Sequence, residues 1–166
     1  MLHRLLENLD SIAGVPSASA HCDIPCKIYD PSTALIAALS VVRVIDIMEE
    51  TVEKADGDSL STRNTLIRCV QRKEEEAERI KHEVRVLWGD YFKAPQLEAH
   101  PKVHGLAHEI MMKASACKQE ADRANAEALV ELVNELAEIF WTTKGVETER
   151  KTCPYPPSMP VVYPKL

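Results

Sequence analysis

Apolar residues recur every three or four positions through four stretches of this chain, and that period is the strongest constraint on its fold. Such a spacing places the apolar side chains on one face of an α-helix. Asp30 is a favourable N-cap and Pro31 suits the first helical position, so we expect the first helix to begin there. Its predicted apolar face consists of Leu35, Leu39, Val42, Ile45, Met48 and Val52.

Three more stretches with the same period follow a turn at residues 55–58. The second helix is expected from Ser59 or Ser61 to about Trp88, the third after Pro101, and the fourth over about residues 121–143, with Gly145 as its C-cap. Their predicted apolar faces are Leu66, Val70, Ala77, Ile80, Val84 and Leu87; Val103, Leu106, Ala107, Ile110, Ala114 and Cys117; and Leu129, Leu132, Leu136, Ile139 and Phe140. Four amphipathic helices joined by short turns predict an all-α, up-down-up-down four-helix bundle.

Three other segments break this pattern. The run Arg72-Lys73-Glu74-Glu75-Glu76 is interpreted as a solvated face of the second helix, with ion pairs four residues apart. Residues 89–101 are expected to form a loop punctuated by prolines. The proline-rich tail, residues 145–166, cannot continue a helix, so we expect it to be extended or disordered, with Cys153 as a surface thiol.

Length, charge and cysteine content exclude several classes of protein. A chain of 166 residues corresponds to one domain, and its net charge of −6 argues against a nucleic-acid partner. No apolar run is long enough to span a bilayer, so no membrane partner is expected. The five cysteines are odd in number and scattered, which favours a reducing compartment over a disulfide framework. We therefore expect a cytoplasmic protein, with targeting to an organelle left open.

The segment from His21 to Cys26 concentrates metal donors just before the first helix. A chain that begins at His21 offers a terminal amine and an imidazole. Cys22 adds a backbone amide nitrogen and a thiol, and Cys26 adds a second thiol. The amine and amide close a five-membered chelate ring, as do the amide and thiolate of Cys22. This N2S2 set suits flat, four-coordinate Ni(II) or Cu(II), with the imidazole in an axial position.

Residues 1–20 are interpreted as a leader that is removed, because the amine of His21 exists only after cleavage behind Ala20. The small residues Ala18-Ser19-Ala20 suit a cleavage site, and Leu2, Leu5, Leu6 and Leu9 can share one helical face. No apolar stretch of the kind that a secretory signal needs precedes the site. A disordered tail is the alternative interpretation.

Three motifs resemble one known family. The residues His21-Cys22-Asp23-x-Pro25-Cys26-x-x-Tyr29-Asp30-Pro31 resemble the nickel hook that opens the mature chain of nickel-containing superoxide dismutases. The resemblance continues in Val86-Leu87-Trp88-Gly89-Asp90-Tyr91-Phe92-Lys93 and in Ile139-Phe140-Trp141-x-Thr143-Lys144, and so covers roughly residues 21–144. It implies an oxidoreductase that converts superoxide to dioxygen and hydrogen peroxide by Ni(II)/Ni(III) cycling, with His21, Cys22 and Cys26 as ligands of a nickel ion. It also implies a homohexamer and a protease that cleaves the leader.

The resemblance implies roles for residues around the metal as well. Tyr29 corresponds to a tyrosine beside the open face of the metal, and Asp23 and Tyr91 correspond to its hydrogen-bonding neighbours. A phenol there can exclude bulky anions and hold an ordered water as a proton relay. The family has a cis peptide bond at the position of Ile24–Pro25, where an ordinary trans proline is the alternative. For Tyr91, core packing at the end of the second helix is the alternative, and for Trp88 it is the favoured interpretation.

Two positions depart from the family pattern. The family has glycine after the second cysteine, where this chain has Lys27; a positive φ there would strain lysine, whereas its charge would attract an anion. Family members hold the imidazole through a glutamate in the first helix that pairs with an arginine in the second. The corresponding positions are Ala37 and Glu76, so Glu76 becomes the candidate partner of the His21 imidazole, approaching from the opposite side.

The remaining candidates have simpler interpretations. His104 and His108 have a spacing that can bind zinc, with His100 nearby, but no third ligand is evident, so solvated or capping histidines are favoured. Cys69 and Cys117 lie on apolar faces and are expected in the core. Two functions stay open beside a dismutase: a nickel or copper carrier on the same bundle that binds metal without turnover, and a structural helical protein with a disulfide between Cys22 and Cys26.

Overall fold

Five α-helices and a β-hairpin make up the part of the chain that the computed structural model describes, residues 27–54 and 59–166. The helices are α1 (Ser32–Lys54), α2 (Leu60–Val86), α3 (Ala94–Ala99), α4 (Val103–Gln119) and α5 (Arg123–Thr143). The four long helices pack around one apolar core: α1 packs against α2 and α5, and α4 packs against α2 and α5. The predicted four-helix bundle is confirmed, and α3 is a short addition to it.

Polar caps set the helix boundaries near the predicted positions. The backbone N–H of Ser32 donates to Asp30 Oδ1 at 2.7 Å, which caps α1. Ser59 and Asp122 accept from backbone N–H groups in the same way at the starts of α2 and α5. Gly145 follows α5 with a φ of 71°, the left-handed conformation that ends many helices and that glycine adopts without strain.

Most residues of the predicted apolar faces are buried or partly buried, and two, Val52 and Val70, are exposed. All six predicted residues of α4 lie in the core. Val52 is 61% exposed because it lies in the last turn of α1, where the neighbouring residues are exposed as well. Val70 is 43% exposed, because the inward positions of that part of α2 are occupied by Cys69 and Lys73.

The charged run in α2 is only partly solvated, so the predicted solvated face is wrong for two of its residues. Lys73 and Glu76 are 3% and 2% exposed, respectively, while Arg72 and Glu75 point to solvent. The helical period explains this result, since positions 69, 73, 76 and 80 follow one another along a single face. That face is the one α2 turns towards the rest of the bundle.

The segment predicted as a loop, residues 89–101, contains regular structure. A π-helical turn, Leu87–Tyr91, continues α2, and α3 follows. Pro95 lies in the first turn of α3, where the missing N–H of proline costs no hydrogen bond. The prolines there delimit a helix instead of excluding one.

The tail forms an antiparallel hairpin of β1 (Thr148–Thr152) and β2 (Pro160–Pro164), a pairing that we did not predict. Asn134, fully buried in α5, fastens it: its Nδ2 donates to the Pro160 carbonyl at 3.0 Å, and its Oδ1 accepts from the Val162 N–H at 2.9 Å. Val161 and Val162 join the core. Cys153 is 2% exposed, so the predicted surface thiol is wrong, because the hairpin packs this residue against the bundle.

None of the described helices is long and apolar enough to cross a membrane.

Candidate metal centre

The chain enters the described structure directly behind the second hook cysteine, at Lys27. His21, Cys22, Asp23, Cys26 and the Ile24–Pro25 bond lie outside the described residues. Lys27 has a φ of 59°, in the left-handed region that disfavours residues with a Cβ. This is the backbone conformation in which the glycine of the family pattern would be free of strain, so lysine carries the strain considered above.

Tyr29 and Tyr91 come together at the start of α1. Their ring centroids are 5.5 Å apart with the ring planes inclined at 52°, and Tyr91 also packs against Phe92 and Phe140 at 5.1 and 4.6 Å. The wide π-helical turn places Tyr91 at this position, since its backbone closes over five residues from Leu87 to Phe92. Two residues predicted for the site, 62 positions apart in the chain, therefore form one aromatic pair, which we call the tyrosine pair.

The hydroxyl of Tyr91 has a defined hydrogen-bond direction. Tyr91 Oη lies 2.6 Å from Thr143 Oγ1, and Thr143 Oγ1 donates to the carbonyl of Phe140 at 2.6 Å. A carbonyl accepts only, so the single proton of Thr143 is used there, and Tyr91 must donate to Thr143. Thr143 belongs to the third motif, but its residue type and position assign it no role, because its contact with Tyr91 forms only when the end of α5 packs beside that ring.

A positive charge lies over the same ring. Lys144 Nζ is 4.7 Å from the centroid of Tyr91 and 5.6 Å from that of Phe140, which is a cation–π arrangement. The side chain is exposed, so its charge also acts in the solvent beside the tyrosine pair. Lys144 and Lys27 thus put cations at the end of the bundle where α1 begins.

Glu76 is a buried carboxylate whose hydrogen-bonding capacity is only partly used. One oxygen pairs with Arg72, and the other, Oε2, lies 3.8 Å from Arg79 and has no hydrogen-bond partner among the described residues. Both arginines are about half exposed. Ala37, which stands at the position of the family's glutamate, is fully buried in the adjacent α1. In this chain the buried carboxylate is therefore on α2, where the family has an arginine.

Lys73, which the solvated-face interpretation also included, has a different environment. Its Nζ donates to the carbonyls of Cys117 and of Lys118, the latter at 2.6 Å. These carbonyls belong to the last turn of α4, whose acceptors have no partner within the helix. Lys73 therefore caps α4 from a neighbouring helix.

The remaining histidines and cysteines do not form a second metal site in residues 27–54 and 59–166, where no group of three potential ligands comes together. His104 Nδ1 accepts from Trp88 Nε1 at 2.9 Å. Trp88 is 41% exposed, so its predicted packing in the core is wrong. Burial raises the pKa of the Cys117 thiol to about 11, which keeps this core cysteine protonated.

Comparisons with known proteins identify relatives over most of the chain. The family model described as nickel-containing superoxide dismutase matches residues 16–144. A nickel superoxide dismutase of Streptomyces coelicolor is 40% identical over 128 residues, which cover 77% of this chain and 91% of the relative. One of Streptomyces seoulensis is 39% identical over 126 residues, covering 76% and 89%. A native crystal structure of nickel superoxide dismutase matches with 37% identity and a TM-score of 0.66, over 75% of this chain and 99% of the other.

Proposed function

The chain belongs to the nickel-containing superoxide dismutase family, an oxidoreductase family with nickel as its cofactor, and we propose that the segment His21–Cys26 is its nickel hook. The observation that carries this proposal is the donor set itself, followed at once by Lys27 in a left-handed conformation. A left-handed residue turns the backbone sharply, which suits a chain that must fold back on a metal before it enters α1.

The donors of the hook fit nickel. An amine, an amide nitrogen and two thiolates would hold the metal as an N2S2 set, and the imidazole of His21 would offer a further nitrogen donor. When bound, nickel supplies one-electron chemistry between Ni(II) and Ni(III), through which one superoxide is oxidised to dioxygen and a second is reduced to hydrogen peroxide. The overall reaction of two superoxide ions consumes two protons.

Tyr29 and Tyr91, with Asp23, are proposed to hold water and deliver protons beside the hook. The tyrosine pair supports this role, because Tyr29 lies three residues before the start of α1 and the Tyr91 ring packs against it. Tyr91 donates its own proton to Thr143, which leaves its oxygen as an acceptor towards water or Tyr29. The bulk of the two rings also restricts the site to small anions.

The cations near the tyrosine pair are proposed to attract superoxide. The chain carries a net charge of −6, so an anionic substrate is repelled by the molecule as a whole. Lys27 and Lys144 provide local positive charge at the end where the hook is attached. Their effect should weaken with added salt, since both groups act through solvent.

Glu76 is proposed to orient the imidazole of His21. A ligating histidine generally donates its second ring N–H to a carboxylate or carbonyl, and this partner tunes the ligand. Glu76 is nearly fully buried, and one of its oxygens has no hydrogen-bond partner within residues 27–54 and 59–166, which supports its role as that acceptor. Arg72 would then balance the carboxylate from the other side.

The leader, the assembly and the location complete the proposal. Removal of residues 1–20 by a protease would create the amine of His21. A homohexamer, as the family resemblance implies, agrees with the exposure of Ile67 and Val70 on α2, and light scattering on the chain starting at His21 should give six subunits. The cysteine pattern supports a cytoplasmic location.

The decisive experiment compares three proteins loaded with nickel under reducing conditions: the full chain, the chain starting at His21, and that chain with one alanine placed before His21. Only the second has the amine ligand, so it alone should bind one nickel per subunit and dismutate superoxide. Equal activity of the full chain would exclude both the assignment of residues 1–20 as a removable leader and the role of the His21 amine as a ligand. Nickel binding without turnover by the second protein would instead favour the carrier.

Substitutions in the second protein test the thiolates. Cys22→Ser and Cys26→Ser should each abolish nickel-dependent activity, because hydroxyl groups are poor ligands for this metal. Cys69→Ser is the matched control, since Cys69 is a free cysteine of α2 and lies outside the hook. Full turnover by either hook variant would exclude the hook as the active site.

A further inference from the structure

The hairpin and α1 enclose an apolar groove at the end of the bundle where the hook is attached. Its volume is about 260 Å³, below the roughly 300–1,000 Å³ typical of small-molecule pockets. Leu35, Leu39, Val161 and Val162 form its floor, and Ile36 and Tyr155 on its rim are 55% and 44% exposed. Apolar surface of this kind favours an apolar occupant, and the volume favours side chains of a polypeptide over a whole ligand.

The groove opens where the undescribed part of the chain is attached. Asp30, Pro31 and Ser32 line one end of it, only three residues after Lys27, where the described structure begins. Ala20 and Asp30 are ten positions apart, so an extended connection reaches up to about 33 Å. The leader can therefore reach any part of the groove within the same molecule.

The leader carries apolar side chains that could occupy the groove. Leu2, Leu5, Leu6 and Leu9 are spaced for one face of a helix, and Glu7 falls on the opposite face. This leucine face and the hairpin also share a property: both lie outside residues 16–144, the part that matches the family model. The chain thus has two extra segments at its ends, and one of them builds a wall of the groove.

We propose that this groove is the docking site of the leader, with the leucine face seated between α1 and the hairpin until cleavage. This inference rests on the proposed function in one respect, the assignment of residues 1–20 as a removable leader. Docking would hold the bond between Ala20 and His21 near the mouth of the groove, in a defined place for the protease. Cleavage would release the leader because it loses its tether and the high local concentration that the tether provides.

Photo-crosslinking in the full, metal-free chain tests the proposal without reference to activity. A photoreactive amino acid at Leu6 should crosslink within the same chain to groove residues such as Ile36 or Tyr163, and the same probe at Glu7 should do so several-fold less. A mixture of isotopically heavy and light chains separates crosslinks within a chain from those between copies. Crosslinks between copies, or crosslinks mapped away from the groove, would overturn the proposal.

Matched substitutions locate the docking site. Ile36→Glu puts a charge on the groove rim and should lower the Leu6 crosslink about tenfold, because the leucine face would have to desolvate it. Met112→Glu is the control, since Met112 is 58% exposed on α4 and does not line the groove. Equal yields from the two variants would overturn the proposal, while an active full chain that still crosslinks in the groove would contradict only the requirement for leader removal.

Discussion

Lys73 and Glu76 are nearly equally buried on one face of α2, yet the bundle satisfies them differently. Lys73 places its charge on two carbonyls at the end of α4, within the protein. Glu76 has partly exposed arginines beside it and keeps one oxygen without a hydrogen bond among the described residues. A buried charge with its hydrogen bonds made indicates a structural role, and one with capacity left indicates a ligand or a functional partner.

The largest expected effect tests the structural side of this comparison. Lys73→Met should lower the free energy of unfolding of the full chain by about 3 kcal/mol, because it leaves the last carbonyls of α4 buried without a donor. Urea denaturation measures this change. Lys118→Met is the control and should cost less than about 1 kcal/mol, since the pairs that the Lys118 side chain makes with Glu74 and Glu78 lie at the surface. Similar losses in the free energy of unfolding from both variants would mean that the contacts of Lys73 with the α4 carbonyls stabilise the fold no more than a surface ion pair does.

Glu76→Gln tests the functional side. Gln keeps the shape but removes the charge that would orient the His21 imidazole, so turnover per bound nickel should fall about tenfold with nickel content unchanged. Stability should change little, because the two arginines remain solvated. Glu75→Gln, at an exposed carboxylate that also pairs with Arg72, should leave turnover unchanged. A loss of stability without a loss of turnover would move Glu76 to the structural side with Lys73.

Thr143→Val tests whether the Tyr91 hydroxyl has a functional role, as proposed for Glu76, or a structural role, as for Lys73. The substitution removes the acceptor of the Tyr91 proton, and we expect turnover to fall about threefold because the phenol loses its fixed orientation. In a Tyr91→Phe background the same substitution should have no further effect, as expected for residues that act through one hydrogen bond. Additive losses would show that Thr143 acts independently of Tyr91, as a packing residue of α5.

Lys144→Gln should have the smallest effect, because Lys144 is an exposed charge and not a buried one. Turnover at limiting superoxide should fall about twofold at low ionic strength, and the difference should vanish in high salt as screening removes the attraction. Lys54→Gln is the control, because Lys54 is equally a surface charge but lies at the other end of α1. A loss that persists in high salt would indicate a contact role for Lys144 instead of attraction.

The local signals in the sequence predicted the helices well and their environment less well. Asp30, Ser59 and Gly145 act within a few residues of themselves, so their capping roles follow from residue type alone. The solvated-face interpretation was wrong for Lys73 and Glu76 because it rested on the charged composition of the run, whereas the helical period decides which of these residues face the bundle. Pro95 indicates a loop by residue type, although a proline in the first turn of a helix is equally well accommodated.

Periodicity and a short contiguous motif can be recognised without any distant partner, so the amino-acid sequence was enough to predict the four amphipathic helices and the family, and to propose the donor set. Which groups meet became apparent only from the packed helices: Tyr29 meets Tyr91, Thr143 meets the Tyr91 hydroxyl, and Asn134 meets the hairpin. These contacts join residues from 26 to 62 positions apart, and their geometry depends on how the helices pack. Burial and hydrogen-bond satisfaction are properties of that packing, so the difference between Lys73 and Glu76 exists only in the folded bundle.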